Sequence, residues 1–191
     1  MRRFEDALFG SKDYLAADSL SRIIESCPKL STSDYWGLAY SKRCVGKWDD
    51  GLRLADKGLA RAENQRDSIL IYREYIELQI GAGRTYSAIQ KCKEAIKFIS
   101  INLRENYNFN YQLGDLYYDA LEFGSALKHH RKALEISYTL NDSSMIRWAA
   151  SEICFDYTKL GLIQTAFDFN LHYELKLDSM INAEKRILFG K

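Results

Sequence analysis

The stretch from Gln112 to Ile136 reads Gln-Leu-Gly-Asp-Leu-Tyr-Tyr-Asp-Ala-Leu-Glu-Phe-Gly-Ser-Ala-Leu-Lys-His-His-Arg-Lys-Ala-Leu-Glu-Ile. Two small residues in it, Ala126 and Ala133, stand two helical turns apart. Both side chains therefore face one neighbour, and their size lets two helix backbones approach closely. The same spacing recurs outward in both directions. Gly51 and Gly58 hold these positions in one unit and Ala88 and Ala95 in the next. Ala166 and Tyr173 hold them in the last, where the tyrosine breaks the rule and predicts a looser, terminal contact. Near the start, Asp13, Tyr14 and Ala17 read as the opening of another such helix, with Ile24 two turns beyond Ala17. The anchors 17, 51, 88, 126 and 166 are 34, 37, 38 and 40 residues apart. Self-similarity at this period marks a helical repeat.

The turn residues agree with this frame. Gly46, Gly83 and Gly161 each lie five residues before their anchor, where a tight helix–helix turn needs a positive φ. Leu121 takes this place in the third full unit, so a turn of different geometry is expected there. Breaks between units are read at Pro28 to Ser33, Asn64 to Asp67, Leu103 to Asn106 and Asn141 to Ser144. Asp67 and Asp142 are the expected helix caps. Pro28 is the sole proline, which suits a helical chain.

Leu113-Gly114, Tyr117, Ala126, His130 and Ala133 resemble the tetratricopeptide pattern, in which Leu-Gly and Tyr lie on the first helix of a hairpin and two small residues on the second. The resemblance covers nearly the whole chain. It implies an all-α, right-handed solenoid of antiparallel helical hairpins. The units are a partial hairpin over 1–30, four repeats at about 32–66, 67–103, 107–141 and 145–176, and a capping or extension helix over 177–191. An isolated hairpin of this kind cannot bury its own apolar stripe, and stacking gives one continuous core.

In this family the first helices line the concave face. The resemblance then places Trp36, Tyr40 and Arg43 of the first full unit in the groove, followed by Arg73, Glu74 and Glu77 of the second. The third unit offers Tyr111, Gln112, Asp115 and Tyr118, and the fourth Trp148, Glu152, Phe155 and Lys159. Aromatic side chains with a few charges are what protein-binding surfaces use. Relatives that clamp the C-terminal carboxylate of heat-shock chaperones have Lys and Asn where Trp36 and Tyr40 stand here. An acidic chaperone tail is therefore not the expected ligand. A partner with hydrophobic anchors and some basic residues fits the mixed, mildly acidic set better.

Other classes find no support in the residues. The net charge of +1 gives no bulk attraction for nucleic acid, and Lys and Arg form no basic stripe. No apolar run is long enough to cross a bilayer, so no membrane insertion is expected. The acidic turn after Met1-Arg-Arg is no secretory signal, and a cytoplasmic location is expected if Met1 is the native start. Cys27, Cys44, Cys92 and Cys154 form no CxxC pair or zinc-spaced cluster and are expected as free thiols. His129 and His130 are adjacent on a helix and point about 100° apart, so they serve no common metal, and His130 falls in a packing position. Gly81-Ala82-Gly83 lacks the Lys-Ser/Thr of a phosphate loop. The expectation is no enzyme, no cofactor and no metal. Ionisable residues converging in a closed pocket would mark an enzyme instead.

The segment from Tyr173 to Lys185, chiefly Asp178, Ser179 and Glu184, is similar to the end of the tetratricopeptide region in sensor histidine kinases and transcriptional regulators of Bacteroidetes-type bacteria. There an Asp-Ser step begins a helix leading to an output region. Two functions are therefore expected: a free-standing adaptor that binds a protein or peptide in its groove, or the sensor part of a larger signalling protein. Leu175, Leu177, Met180, Ile181, Leu188 and Phe189 form a candidate homodimer surface on the last helix.

Overall fold

The computed structural model describes residues 29–99 and 102–189 together with Ser19, Ile23 and Ile24; side chains of residues 183–189 are outside the description. Asp13, Tyr14, Ala17, Cys27, Pro28 and the expected partial hairpin over 1–30 fall almost wholly outside the described residues.

Among the described residues there are eight α-helices and no strand. They fall into two compact units that divide between Phe98 and Ile99. The N-terminal unit holds α1 (Thr32–Cys44), α2 (Trp48–Arg61), α3 (Gln65–Gly81) and α4 (Thr85–Phe98). The C-terminal unit holds α5 (Leu103–Asp119), α6 (Phe123–Leu140), α7 (Ser143–Lys159) and α8 (Ile163–Phe189). Successive helices pair as hairpins, α1 with α2 through α7 with α8.

Each first helix starts on a side-chain cap. Ser31 and Asp34 form a reciprocal capping box on α1, with Asp34 N–H donating to Ser31 Oγ at 3.2 Å and Ser31 N–H to Asp34 Oδ2 at 2.8 Å. Asn64 caps α3 through the Asp67 N–H, 3.0 Å away. Asn102 caps α5 through Glu105 at 3.2 Å, and Asp142 caps α7 through Met145 at 3.1 Å. Asp142 thus holds its expected place, whereas Asp67 is three residues inside its helix and Asn64 is the cap. The break expected at Leu103 to Asn106 is instead the first turn of α5.

The turn inside each hairpin is one construction used four times. The residue after the cap is left-handed at Gly46 (φ 73°), Gly83 (φ 70°), Leu121 (φ 62°) and Gly161 (φ 77°). In each, its N–H donates to a carbonyl three residues back, and the next N–H donates five residues back: Leu121 to Tyr118 at 2.9 Å and Glu122 to Tyr117 at 2.8 Å, for instance. This is the Schellman closure. The different geometry expected at Leu121 does not occur. A leucine is held in the glycine conformation because the paired hydrogen bonds fix the backbone, at a steric cost of roughly 1–2 kcal/mol.

The small residues do what their spacing predicts. A Cβ added at Gly58 would lie 2.7 Å from Ile71 Cδ1 and 3.1 Å from Tyr35 Cβ, and one at Gly51 would lie 2.5 Å from Leu78 Cδ2. Each glycine is where α2 is pressed between α1 and α3. Ala88, Ala95, Ala126 and Ala133 are fully buried at the equivalent positions. Tyr173 is half-buried and stacks on Phe169, with ring centroids 6.1 Å apart.

The last helix departs from expectation twice. It runs unbroken from Ile163 to Phe189, so residues 177–189 of the expected separate helix over 177–191 are its continuation. Its apolar residues also divide between two faces. Leu177 is buried, and Met180 and Ile181 pack against the core of the C-terminal unit. Leu175 points away, in line with Ile163, Phe167 and Leu171 on an exposed stripe. The single surface expected from Leu175, Leu177, Met180 and Ile181 is therefore not formed; the side chains of Leu188 and Phe189 are outside the description.

Candidate protein-binding face

In the N-terminal unit, α1 and α3 lie side by side, joined by an ion pair. Arg43 Nε donates to Glu74 Oε1 at 2.7 Å and a second guanidinium nitrogen reaches Oε2 at 3.4 Å. Glu74 is only 3% exposed, and burial pushes its pKa up against the pull of Arg43. Its carboxylate holds two helices together and is not offered outward. Arg43 also lies 4.9 Å from the Tyr40 ring, which packs at 5.7 Å against Trp36. Glu77 is half-buried near this pair, and Arg73 is exposed. A shallow hollow of 410 Å³ opens between α3 and α4, walled in part by Tyr75, Gln79 and Lys91, and includes none of the expected groove residues.

In the C-terminal unit the first helices α5 and α7 also touch. Tyr107 donates its hydroxyl to the Met145 carbonyl at 3.0 Å, and Tyr111 donates to Glu152 Oε1 at 3.2 Å. Beneath Tyr111 is a group that sequence reasoning took for packing alone. His130, on α6, is fully buried; its ring centroid is 5.6 Å from that of Tyr111. Its Nδ1 lies 2.6 Å from Asp156 Oδ2 and its Nε2 lies 3.3 Å from Asp115 Oδ1. One imidazole thus ties α5, α6 and α7. Burial opposes its charge, but hydrogen bonds to Asp115 and Asp156 win and raise its pKa to about 9. At neutral pH it is a cation between carboxylates.

Gly114 makes the room: a Cβ there would overlap the His130 ring. The histidine's equivalents in the other units are Ala55, Cys92 and Asn170, and those of Asp156 are Ser41, Leu78 and Leu116. A histidine and a carboxylate at two repeat positions that carry neither in the other full units were the signal in the sequence. Asp156 is itself fully buried, and among the described residues its Oδ1 has no hydrogen-bond partner.

Ionisable groups therefore converge, but the imidazole is not placed as a general base. Both nitrogens of the charged imidazole are donors spent on carboxylates, which leaves no lone pair to take a proton. His129 is engaged elsewhere: it stacks on Tyr117 at 5.6 Å and its Nδ1 lies 3.2 Å from Asn110 Oδ1. Among the described residues no group of His, Cys, Asp or Glu is placed to hold a metal ion. Cys44, Cys92 and Cys154 are free thiols, and burial pushes Cys92 up to about 12, out of the reactive range.

Toward solvent, the α7 face carries Trp148, 60% exposed, and Phe155, 53% exposed, with half-buried Glu152 between them at helical spacing. Burial, and then the nearby Asp115 charge, push the Glu152 pKa up. Lys159 places its ammonium 6.0 Å from the Tyr118 ring, and Tyr118 meets Phe123 edge-on at 5.2 Å. Gln112 is half-buried beside Tyr111.

No protein-family profile matches the chain, and no curated protein matches it. Solved structures do. BtubC (BKLC) from P. vanneervenii is 18% identical with a TM-score of 0.70, over 93% of this chain and 78% of that one. The apo form of RapI is 14% identical with a TM-score of 0.77, over 97% of this chain and 57% of that one. MamA is 16% identical with a TM-score of 0.68, over 94% of this chain and 96% of that one. At these identities the likeness establishes the fold: an all-α solenoid of the tetratricopeptide-like helical-repeat type. No helix among the described residues is long and apolar enough to cross a membrane.

Proposed function

We propose that the chain is a protein-interaction scaffold that takes a peptide or protein segment on its first-helix faces. The observation that carries this is the α7 face. Trp148 and Phe155 stand two turns apart and more than half exposed, beside carboxylates that are held in place from below. Large aromatics grouped on one exposed helix face mark interaction sites, and such residues dominate binding energies. Repeat solenoids present such surfaces as extended platforms. On this reading Trp36, Tyr40, Arg43, Arg73 and Glu77 serve the N-terminal unit, and Tyr111, Gln112, Asp115, Tyr118, Trp148, Glu152, Phe155 and Lys159 serve the C-terminal one.

The test is affinity capture from the source cell with the purified chain and with a Trp148→Ala/Phe155→Ala variant. The expected result is a discrete protein that is recovered by the parent and lost with the variant at unchanged helix content. Equal recovery by both would remove α7 from the binding surface.

A second reading, a sensory region within a larger signalling protein, is favoured by the unbroken run of α8 from Ile163 to Phe189, well beyond the length of its hairpin partner. The exposed stripe of Ile163, Phe167, Leu171 and Leu175 is the surface through which a second copy would associate. Sedimentation of a Phe167→Lys/Leu171→Lys variant tests that: the dimer reading requires the parent to sediment as a dimer and the variant as a monomer.

A further inference from the structure

We propose that Asp115 and Glu152, with the Tyr111 hydroxyl between α5 and α7, form a seat for a cationic side chain of the partner polypeptide, arginine in preference to lysine. The proposal rests on the scaffold reading above and names the chemistry of what is bound.

The first support is an imbalance of charge. Asp115, Glu152 and Asp156 bring three carboxylates to one place, and the cation they share is His130. Both imidazole nitrogens are used, one on Asp115 and one on Asp156, so none remains for Glu152. Among the described residues Glu152 accepts from the neutral Tyr111 hydroxyl alone. Lys159, two turns along α7, lies over the Tyr118 ring and pairs with neither carboxylate.

The second support is independent of exposed charge. Asp156 is fully buried one turn from Glu152, and among the described residues its Oδ1 has no donor. Buried carboxylate oxygens are normally satisfied, since leaving one bare is costly. The cluster is therefore short of both donors and positive charge, and the Asp156 charge bears on Glu152.

The third is access. The Asp115 side chain is 46% exposed although one of its oxygens faces His130, so the carboxylate is pinned and still open to solvent. Trp148 and Phe155 stand on either side of Glu152 along α7, within a helical turn of it. A guanidinium presents a planar fork to carboxylates and a flat face to aromatic rings, whereas an ammonium is a point charge with a tight water shell. A carboxylate pair flanked by exposed rings suits the former.

The test is selection of random dodecapeptides displayed on phage against the full chain and against an Asp115→Asn/Glu152→Gln variant, which preserves shape and removes two charges. Arginine should be enriched among peptides selected by the parent, and synthetic versions of those peptides should bind the variant about tenfold more weakly or worse, a loss of about 1.4 kcal/mol. Replacing the enriched arginine by citrulline, its neutral isostere, should weaken binding to the parent to the same extent and leave binding to the variant unchanged. Neutral or acidic peptides, or enriched arginines that bind both proteins equally, would overturn the cationic seat and leave the scaffold reading standing. Lysine enriched over arginine would overturn the preference for a planar cation. If the parent selects no peptide, titration of full chain with N-acetyl-argininamide and with N-acetyl-citrullinamide, followed at the Trp148 indole and His130 ring by NMR, decides the matter. Shifts with the cation alone would keep the seat, and equal or absent shifts would remove it.

Discussion

His130 Nδ1 and Asp156 Oδ2 are 2.6 Å apart with neither side chain touching solvent, and this bond fastens the third full hairpin to the fourth. The imidazole holds its proton up to a pH of about 9, against an ordinary value of 6.5. A group that binds its proton more tightly when folded stabilises the fold while protonated in both states' range, and that contribution fades as pH rises through the folded value. Stability from this group is therefore complete below about pH 6.5 and lost through pH 9. The shift corresponds to roughly 3 kcal/mol. Urea midpoints should fall between pH 6.5 and 9.5 in the parent and change far less in His130→Gln. An imidazole resonance titrating at its ordinary value would contradict this.

Gly114 should be intolerant for the same reason. Gly114→Ala adds a Cβ into the His130 ring, so the ring must swing off at least one carboxylate. Breaking a buried pair from one side costs about 3–5 kcal/mol, well above the roughly 1 kcal/mol that alanine gains over glycine in a helix. Gly124, whose Cβ would meet nothing within 4 Å, is the control: Gly124→Ala should be neutral or stabilising in the same thermal melts.

Leu121 offers a stabilising change. It is 74% exposed and left-handed where the other hairpins use glycine. Leu121→Gly removes the steric cost of the conformation and gives up little packing, though the unfolded chain gains freedom. A net gain of up to about 1 kcal/mol is expected in denaturant titration. Gly83→Leu should lose a similar amount.

In the N-terminal unit, Arg43→Ala strands the buried Glu74 carboxylate and should cost about 3 kcal/mol, in the range for breaking a buried pair. Arg43→Met combined with Glu74→Leu should recover most of that, because no charge is then left without a partner. Equal losses in the single and double variants would show that the pair adds nothing beyond packing.

The repeat was legible because it rests on residue size. Gly51, Gly58, Ala88, Ala95, Ala126 and Ala133 must be small wherever two backbones meet, and a fixed spacing survives in the letters. Turn geometry was legible only where glycine wrote it: Leu121 adopts the same φ because the surrounding hydrogen bonds impose it, and a leucine carries no mark of that. The caps shifted by one turn at Asn64 because Asn and Asp stand three residues apart there, and either could accept the first free N–H. The face from Tyr111 to Phe155 was legible as a set of positions. The charge beneath it was not, because His130 reads as a packing residue until its partners from two other helices are known. The C-terminal helix shows the same limit: Leu175 and Leu177 are both apolar, but only the path of α8 over its neighbours decides that one is inside and the other out.

The His130–Asp156 bond also gives the hairpins an order. Gly51 with Leu78, or Gly58 with Ile71, are generic contacts that most copies of a repeat could make with one another. The junction between α6 and α7 is keyed instead, since a histidine on one side demands a carboxylate on the other and a glycine at position 114 to admit the ring. Duplicating, deleting or exchanging a hairpin at that junction would bury a bare acid or a bare imidazole. Lineages and designers that lengthen or shorten this solenoid would therefore be expected to cut it elsewhere and to carry Gly114, His130 and Asp156 as a single heritable block.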